Sequence, residues 1–362
     1  MRFEFATATR IIFGRGTIQE VGSLVTGLGS FAFVITGRTG RRAEPLLEQL
    51  AKHSIKYVTF SVPGEPTTTI LKEALQQARQ AKVDLVIGIG GGSVLDTGKV
   101  VAAMLTNKGQ LEEYLEVVGD GQPIRQNPLP YIAIPTTAGT GAEVTRNAVI
   151  GVPKHKVKVS MRSPLMLPRV AVVDPALTDS MPPSVTASTG LDALTQLIEA
   201  YVSNKASPLT DGICREGLKR AGRSLRRAYE ACPFDKLRAG SEWSRRDGSD
   251  KNARDDMALA SLFSGLALAN AKLGAVHGFA GPLGGMISAP HGVICARLLP
   301  IVCQANVQAL QSRQIDSPAL ARYDEIARLL TGKSEARVID GLAWLQELCA
   351  DLVVPSLDQF GL

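Results

Sequence analysis

Short apolar, β-branched runs alternate with amphipathic stretches through the first half of the chain, and this alternation restricts the possible folds more than any other feature. The runs are FAFVIT at 31–36, YVTF at 57–60, VDLVIGI at 83–89 and YIAIP at 131–135. The segments between them carry helical periodicity up to about residue 53, near 68–81 and near 94–106. Strands that alternate with helices predict an α/β domain whose parallel sheet is covered on both faces.

The pattern changes after about residue 176, where long helical stretches replace the alternation. They cover 184–203, 209–231, 255–272 and 318–331. At roughly 100 to 200 residues per domain, 362 residues make about two domains. The pair Pro182-Pro183 stands near the boundary, before a helix whose first turn it suits. We therefore expect an α/β dinucleotide-binding domain over 1–180 and an all-α domain over 181–362.

The net charge of +6 comes from a single segment, which holds eleven basic and five acidic residues between Lys219 and Arg254. The rest of the chain is balanced. Only three aromatic residues, Tyr229, Phe234 and Trp243, lie among these charges, fewer than a surface that binds nucleic acid usually interleaves with them. A nucleic-acid-binding protein is thus the remote alternative. Because periodicity is lost between 233 and 254, we predict a basic loop insert there.

Cysteine usage and hydropathy indicate a cytoplasmic protein. Five cysteines are an odd number without CxxC spacing, so a disulfide framework is not expected. The first residues lack the apolar core of a signal peptide. The longest charge-free run, 273–296, contains six glycines and two prolines, which makes a poor membrane helix. No membrane partner is expected.

A glycine-rich turn follows the third apolar run and opens a helical segment. Glycines at 90–92 and Ser93 let backbone N–H groups approach a pyrophosphate, and the positive end of the next helix favours its charge. The turn departs from the GxGxxG fingerprint, since Ser93 occupies the third glycine position. The run YIAIP leads into a second such segment, TTAGTGAEVT at 136–145. Two polar turns at strand ends favour a nucleotide crevice over two plain structural turns.

The first strand indicates which dinucleotide is bound. It leads into Gly37-Arg38, where an NAD-selective protein usually places a carboxylate for the ribose 2′-OH, and no acid occurs before Glu44. Arg38, or one of the arginines at 41 and 42, would pair with a 2′-phosphate. NADP(H) is therefore favoured over NAD(H), a solvated basic turn being the plainer alternative.

A set of potential metal ligands lies in the second half. Asp192 and Gln196 are four residues apart and so share one helix face. His277 and His291 lie in the charge-free, glycine-rich run. An aspartate and two histidines are the ligands of an open divalent metal site, although each histidine taken singly is more often a hydrogen-bonded core residue.

Four motifs together give the chain a family resemblance: GGGSVLDTGK, PTTAGTGAEVT, GLDALTQLIEAY, and GAVHGFAGPLGG followed by PHG. In this order they resemble the iron-containing, group III alcohol dehydrogenases, which include glycerol dehydrogenase and lactaldehyde reductase. The resemblance implies a dehydroquinate synthase-like architecture, a cleft holding metal and nicotinamide, and a homodimer. It implies metal ligation by Asp192, His277 and His291, with Gln196 at the fourth ligand position. The nucleotide-contacting positions that the resemblance implies are Gly91, Gly92, Ser93, Thr136, Thr137, Thr140, Thr145 and Lys158. To these we add, as predicted cofactor-binding residues, Gly37 and Arg38 after the first strand and Asp96 in the GGGSVLDTGK motif.

Two positions depart from the family pattern. Iron-dependent members typically carry a histidine where this chain has Gln196, and an amide oxygen is a neutral, weaker ligand. The metal is therefore either Fe²⁺ or Zn²⁺. Many members also place a histidine near the nicotinamide at the position of Gly281, so a proton relay through that side chain is absent here.

The expected activity is reversible hydride transfer between nicotinamide and a small alcohol or aldehyde, with Asp192, His277 and His291 as the catalytic metal site. Alternatives on the same fold are a maleylacetate reductase-like enzyme with an anionic substrate and a dehydroquinate synthase-like lyase. The apolar, glycine-rich surroundings of His277 favour the uncharged substrate.

Overall fold

The computed structural model describes residues 2–232 and 250–362, and the chain divides into two compact units. The first unit comprises Ala6–Thr136 and Ala142–Leu177. The second comprises Thr178–Leu362, Thr137–Gly141 and the N-terminal residues through Phe5. The segment rich in threonine and glycine is thus shared between the two units.

A parallel sheet of six strands forms the centre of the first unit. Its strands are β1 (Arg10–Phe13), β2 (Phe31–Gly37), β3 (Lys56–Val62), β4 (Leu85–Gly90), β5 (Tyr131–Pro135) and β8 (Val170–Val173). They lie in the order β1-β8-β5-β4-β2-β3. A separate antiparallel hairpin is made by β6 (Asn147–Val152) and β7 (Val157–Arg162). The predicted α/β class is confirmed, whereas the sequence pattern missed the hairpin and both short strands, β1 and β8.

The central strands of the sheet, β2, β4, β5 and β8, are buried on both faces, whereas the edge strands β1 and β3 are largely exposed or half-buried. Ala32 and Val34 of β2 belong to one core cluster, while Phe33 and Ile35 belong to another, because successive side chains of a strand point to opposite faces. The helices of this unit are α1 (Val21–Val25), α2 (Glu44–Lys52), α3 (Thr68–Ala81) and α4 (Gly92–Met104).

In the second unit, every regular element that the structure describes is a helix. Its helices are α5 (Pro183–Tyr201), α6 (Pro208–Glu230), α7 (Lys251–Ala271), α8 (Ala275–Met286), α9 (His291–Arg313), α10 (Pro318–Thr331) and α11 (Val338–Asp351). They enclose one large apolar cluster. Helix α9 is long and apolar enough by composition to cross a membrane, with mean hydropathy 1.5, but its Ile294 and Leu299 are buried in this core. Core helices of water-soluble proteins pass the same compositional test.

The prediction of a basic loop over 233–254 is wrong at the C-terminal end of that range. The side chain of Asp250 accepts a hydrogen bond from the Ala253 amide and caps α7, so the last four residues of the expected loop are helical. Arg254 is buried, and its guanidinium donates to the Thr186 hydroxyl at 2.9 Å. The remaining part of the predicted loop, 233–249, lies outside the described residues.

Candidate functional site

The strand order has a reversal point between β2 and β4. From β2 the chain continues to β3 on one side, whereas from β4 it continues to β5 on the other. Open α/β sheets bind ligands beyond the carboxyl ends of their strands at such a point. Gly37 ends β2 and Gly90 ends β4, so two of the sequence-predicted turns flank this reversal.

The turn between β4 and α4 offers backbone N–H groups to a ligand. Gly91 is the N-cap residue of α4, and no side chain caps this helix end. Gly92 and Ser93 are its first residues, at the end where the helix dipole is positive. At Gly90 a Cβ atom would lie 2.5 Å from the Val94 side chain, so this position requires glycine. The turn therefore has the form of an anion site.

Polar contacts behind this turn involve a lysine that sequence reasoning missed. The buried Lys99 Nζ donates to Asp96 Oδ1 at 3.1 Å, to Thr145 Oγ1 at 2.8 Å and to the Asn147 carbonyl at 2.7 Å. The other oxygen of Asp96 accepts the Val149 amide at 2.9 Å. Asp96 and Thr145 are thus held together with β6 by one cation. Lys99 belongs to the GGGSVLDTGK motif, but only its buried contacts reveal this structural role.

The remaining predicted nucleotide-binding residues of this unit already have protein partners. The Thr136 amide donates to the Gly90 carbonyl at 2.9 Å, which holds the end of β5 beside the glycine turn. The Arg38 guanidinium donates to the Pro63 carbonyl at 3.1 and 2.9 Å. Lys158 Nζ lies 2.7 Å from a carboxylate oxygen of Glu65.

Thr137 and Thr140 lie in the short segment that belongs to the second unit. Its glycines pack closely against the helices of that unit. A Cβ atom on Gly139 would lie 2.4 Å from Cβ of Thr189 on α5. Gly141 has a φ of +59°, and a Cβ atom there would lie 2.3 Å from the Gly265 Cα on α7. This segment therefore tolerates no larger residue at either glycine.

Three helices of the second unit bring the predicted metal ligands together. Asp192 lies on α5, His277 on α8, and His291 is the first residue of α9. His277 Nε2 is 3.3 Å and His291 Nε2 is 3.8 Å from Oδ1 of Asp192. Asp192 is buried, whereas the His291 side chain is 40% exposed. The group is therefore closed on the side of α5 and open to solvent beside His291.

Glu199 holds His277 in place, and sequence reasoning missed this residue. The His277 Nδ1–H group donates to Glu199 Oε2 at 2.6 Å, which leaves Nε2 to face Asp192. The second oxygen of Glu199 accepts the Val276 amide at 2.7 Å at the start of α8. A Cβ atom on Gly274 would lie 2.8 Å from this carboxylate, so glycine makes room for it.

Cys295 is a second residue beside the predicted ligands that sequence reasoning missed. Its Sγ lies 3.8 Å from His277 Nε2 and 3.6 Å from His291 Nε2. Candidate ligand atoms of Asp192, His277, His291 and Cys295 all lie within 4.8 Å of one another. Gln196 is buried on α5, and its side-chain oxygen accepts the Ser264 hydroxyl at 2.8 Å.

The charges in this group depend on one another. Burial alone raises the pKa of Asp192, but the hydrogen bond and positive charge of His277 and the charge of His291 outweigh it, so the pKa is lowered. Burial alone lowers the pKa of His277, yet hydrogen bonds to Asp192, Cys295 and Glu199 hold it well above the ordinary value. The pKa of His291 is raised in the same way, against burial, by Cys295 and Asp192. The carboxylate and the two imidazoles therefore stabilise one another's charged forms.

Spacing along the helices would have found both missed residues. Glu199 follows Asp192 by two helical turns, and Cys295 follows His291 by about one, so each shares a helix face with a predicted ligand. At Gly281, one turn after His277, a Cβ atom would meet no other atom within 4 Å. Space for a side chain thus exists at this position, although the chain places none there.

Two family models together match nearly the whole chain. The model described as iron-containing alcohol dehydrogenase matches residues 8–175. The model described as Fe-containing alcohol dehydrogenase family, C-terminal, matches residues 186–361.

Individual relatives and solved structures agree with these models. The chain is 39% identical over 324 residues to long-chain-alcohol dehydrogenase 1 of Geobacillus thermodenitrificans, covering 86% of this chain and 76% of that one. It superposes on a 1,3-propanediol oxidoreductase structure with a TM-score of 0.87 at 32% identity, covering 100% and 90% of the two chains. It also superposes on a sulfoacetaldehyde reductase from Bifidobacterium kashiwanohense in complex with NAD⁺, with a TM-score of 0.82 at 27% identity, covering 98% and 88%.

Proposed function

The chain belongs to the iron-containing alcohol dehydrogenase family, and from this premise we propose that Asp192, His277 and His291 hold its catalytic metal ion. The enzyme is a metal-dependent alcohol dehydrogenase or aldehyde reductase, an oxidoreductase acting on CH–OH donors. The observation that carries the ligand assignment is the convergence of these three side chains from three helices, with candidate ligand atoms within 4.8 Å of one another.

The donor set suits a divalent transition metal. One buried carboxylate and two imidazoles are ligands that iron and zinc both accept. When bound, such an ion polarises the oxygen of an alcohol or aldehyde and lowers the pKa of the hydroxyl. The exposed side of His291 leaves room for the substrate beside the ligands.

The protein's own residues orient this chemistry. Glu199 fixes the His277 ring so that Nε2 points at the ligand group, and it thereby acts as a positioning residue. Asp192 supplies the buried negative charge that attracts the ion. Because Gly281 has no side chain, we assign proton transfer to and from the substrate to water in the open space there.

The cofactor of this family is a nicotinamide dinucleotide, and we propose that its pyrophosphate binds the N–H groups at the start of α4. The absence of a carboxylate directly after Gly37 and the presence of Arg38 favour NADP(H) over NAD(H). The sulfoacetaldehyde reductase structure is a complex with NAD⁺, so the preference for NADP(H) is proposed for the present chain and not for every protein of this fold.

We propose a small, uncharged alcohol or aldehyde as substrate. Helix α8 around His277 is rich in glycine and carries no charged side chain. A cytoplasmic location agrees with five free, buried cysteines, and a homodimer agrees with the family resemblance.

Metal analysis combined with cofactor-resolved turnover tests these assignments. Purified enzyme is assayed with NADH and NADPH across a panel of aldehydes and oxo acids, before and after chelation. We expect one divalent ion per chain, loss of aldehyde reduction on chelation, and recovery with Fe²⁺ or Zn²⁺. Undiminished NADPH-dependent activity of the metal-free protein would contradict the metal role, and a preference for oxo acids would contradict the substrate class.

A further inference from the structure

We propose that the thiolate of Cys295 is a fourth protein ligand of the metal and takes the place that the side chain of residue 196 would otherwise fill. The inference rests on the proposed function, since it concerns the same ion. It adds a ligand that neither the motifs nor the family resemblance assigns.

The distances around Cys295 match those of a mixed sulfur and nitrogen site. With bonds of about 2.0 to 2.1 Å to nitrogen and oxygen and about 2.3 Å to sulfur, tetrahedral ligands lie about 3.3 Å apart for nitrogen and oxygen and about 3.6 Å apart for sulfur and nitrogen. The His277 nitrogen lies 3.3 Å from the Asp192 oxygen. The Cys295 sulfur lies 3.6 Å from the His291 nitrogen and 3.8 Å from the His277 nitrogen.

The position of Cys295 on α9 places its sulfur beside His277 and His291. His291 and Cys295 are four residues apart, so one helix face presents both ligands. Cys295 is fully buried, and its sulfur contacts two imidazole nitrogens. Throughout 2–232 and 250–362, no other group of three or more histidine, cysteine or carboxylate side chains has this proximity.

Gln196 is the weaker candidate for the same role. Its amide oxygen is neutral and already accepts the Ser264 hydroxyl at 2.8 Å. A thiolate is negative, and together with Asp192 it balances the charge of a divalent ion. On binding, the S–H bond breaks, its electron pair forms the metal–sulfur bond, and the proton passes to solvent. Thiolate ligation selects zinc or iron over magnesium, calcium or manganese.

Cobalt substitution tests this ligand directly. Metal-free full-length enzyme is titrated with Co²⁺, and the near-ultraviolet thiolate-to-cobalt charge-transfer band is recorded for wild type, Cys295→Ala and Cys303→Ala. Cys303 lies on the same helix and is also buried, but it is not part of the metal group, so it is the matched control. We expect the band in wild type and Cys303→Ala, its loss in Cys295→Ala, and at least about a tenfold rise in the cobalt dissociation constant. X-ray absorption of the wild-type zinc enzyme should show a sulfur neighbour at about 2.3 Å.

The possible results separate this inference from the proposed function. Cobalt bound at one ion per chain without a charge-transfer band, and zinc without a sulfur neighbour, would overturn the role of Cys295 and leave the metal enzyme intact. Failure of wild type to bind any ion would overturn both. The wild-type spectra decide the question even if Cys295→Ala does not fold.

Discussion

The nucleotide turn and the metal group are built in opposite ways. We propose that the turn binds its ligand through the backbone N–H groups at the start of α4, which form one contiguous stretch. The metal group consists of Asp192, His277, His291 and Cys295, which come from α5, α8 and α9 and are separated by up to about a hundred positions in sequence. In the turn a side chain would obstruct the backbone, as the contact at Gly90 shows. In the metal group the proposed ligands are single side-chain atoms.

The pKa of a buried carboxylate is shifted in opposite directions in the two units. Asp192 is buried with two histidines beside it, and its pKa is lowered. Glu143, beside Thr145 in the first unit, is fully buried, and its Oε2 has no hydrogen-bond partner among the described residues. Burial therefore raises the pKa of Glu143 to about 7. A buried carboxylate that contacts two imidazoles and one that has an oxygen without a hydrogen-bond partner should respond differently to the same change to an amide.

The largest effect is expected from Asp192→Asn. The amide removes the buried negative charge of the metal group, so metal binding and the several kcal/mol of rate acceleration that depend on it are lost. We expect kcat/KM for aldehyde reduction to fall by roughly a thousandfold or more. Asp351→Asn is the control, since Asp351 is half exposed and forms a surface ion pair with Arg226. Equal metal content and activity in both variants would contradict the account.

Glu143→Gln should change stability instead of catalysis. Between the unfolded pKa of 4.5 and the folded pKa of about 7, the folded state holds a proton that the unfolded state has lost. Wild-type stability therefore falls as pH rises through this window, by as much as about 3 kcal/mol, and then stays low. The stability of the glutamine variant should not fall in this pH range, because its amide does not titrate. Urea unfolding at pH 4.5 and pH 8 measures it, and parallel pH profiles of variant and wild type would count against the assignment.

Glu199→Gln tests positioning within the metal group. The variant keeps the size of the side chain but weakens its hold on the His277 ring, because an amide oxygen is a poorer acceptor than a carboxylate. We expect metal affinity to fall about 10- to 100-fold, and excess metal should restore most of the turnover. Glu347→Gln, at an exposed position of α11, controls for the loss of charge. Loss of turnover with unchanged metal affinity would be the contrary result.

The smallest effect is expected directly after β2, on the other side of the strand-order reversal from the nucleotide turn. Arg38→Ala removes a guanidinium that is anchored to the Pro63 carbonyl, and it should lower kcat/KM about tenfold for NADPH and little for NADH. Arg125→Ala, an exposed arginine of the same unit, is the control. An equal loss with both cofactors would show that Arg38 supports the loop and does not recognise the 2′-phosphate.

The sequence predicted the fold class because its signals are local. Apolar runs and helical periodicity identified β2 to β5 and much of α5, α6, α7 and α10. The hairpin of β6 and β7 was missed, since both strands lie partly exposed and β7 mixes charged with apolar residues. The start of α7 was missed because its N-cap residue, Asp250, lies in a charged stretch without helical periodicity.

Sequence reasoning predicted only those residues of the candidate site that belong to a recognised motif. Asp192, His277 and His291 were recognised by type and by family pattern, yet no spacing showed that they converge. Glu199, Lys99 and Cys295 gain their roles from contacts across 77, 46 and 18 residues, respectively. Helical spacing places Glu199 and Cys295 on the same faces as predicted ligands, but the atoms that they contact depend on how the helices pack, which spacing alone does not show.

Anomalous X-ray diffraction can locate the ion that we propose the metal group of α5, α8 and α9 holds. Data are collected at the absorption edge of the bound ion from crystals of active enzyme with one metal ion per chain. We expect a single anomalous peak bounded by Asp192, His277 and His291. A fully active, metal-loaded crystal with no peak there, or with its peak elsewhere, would contradict this assignment.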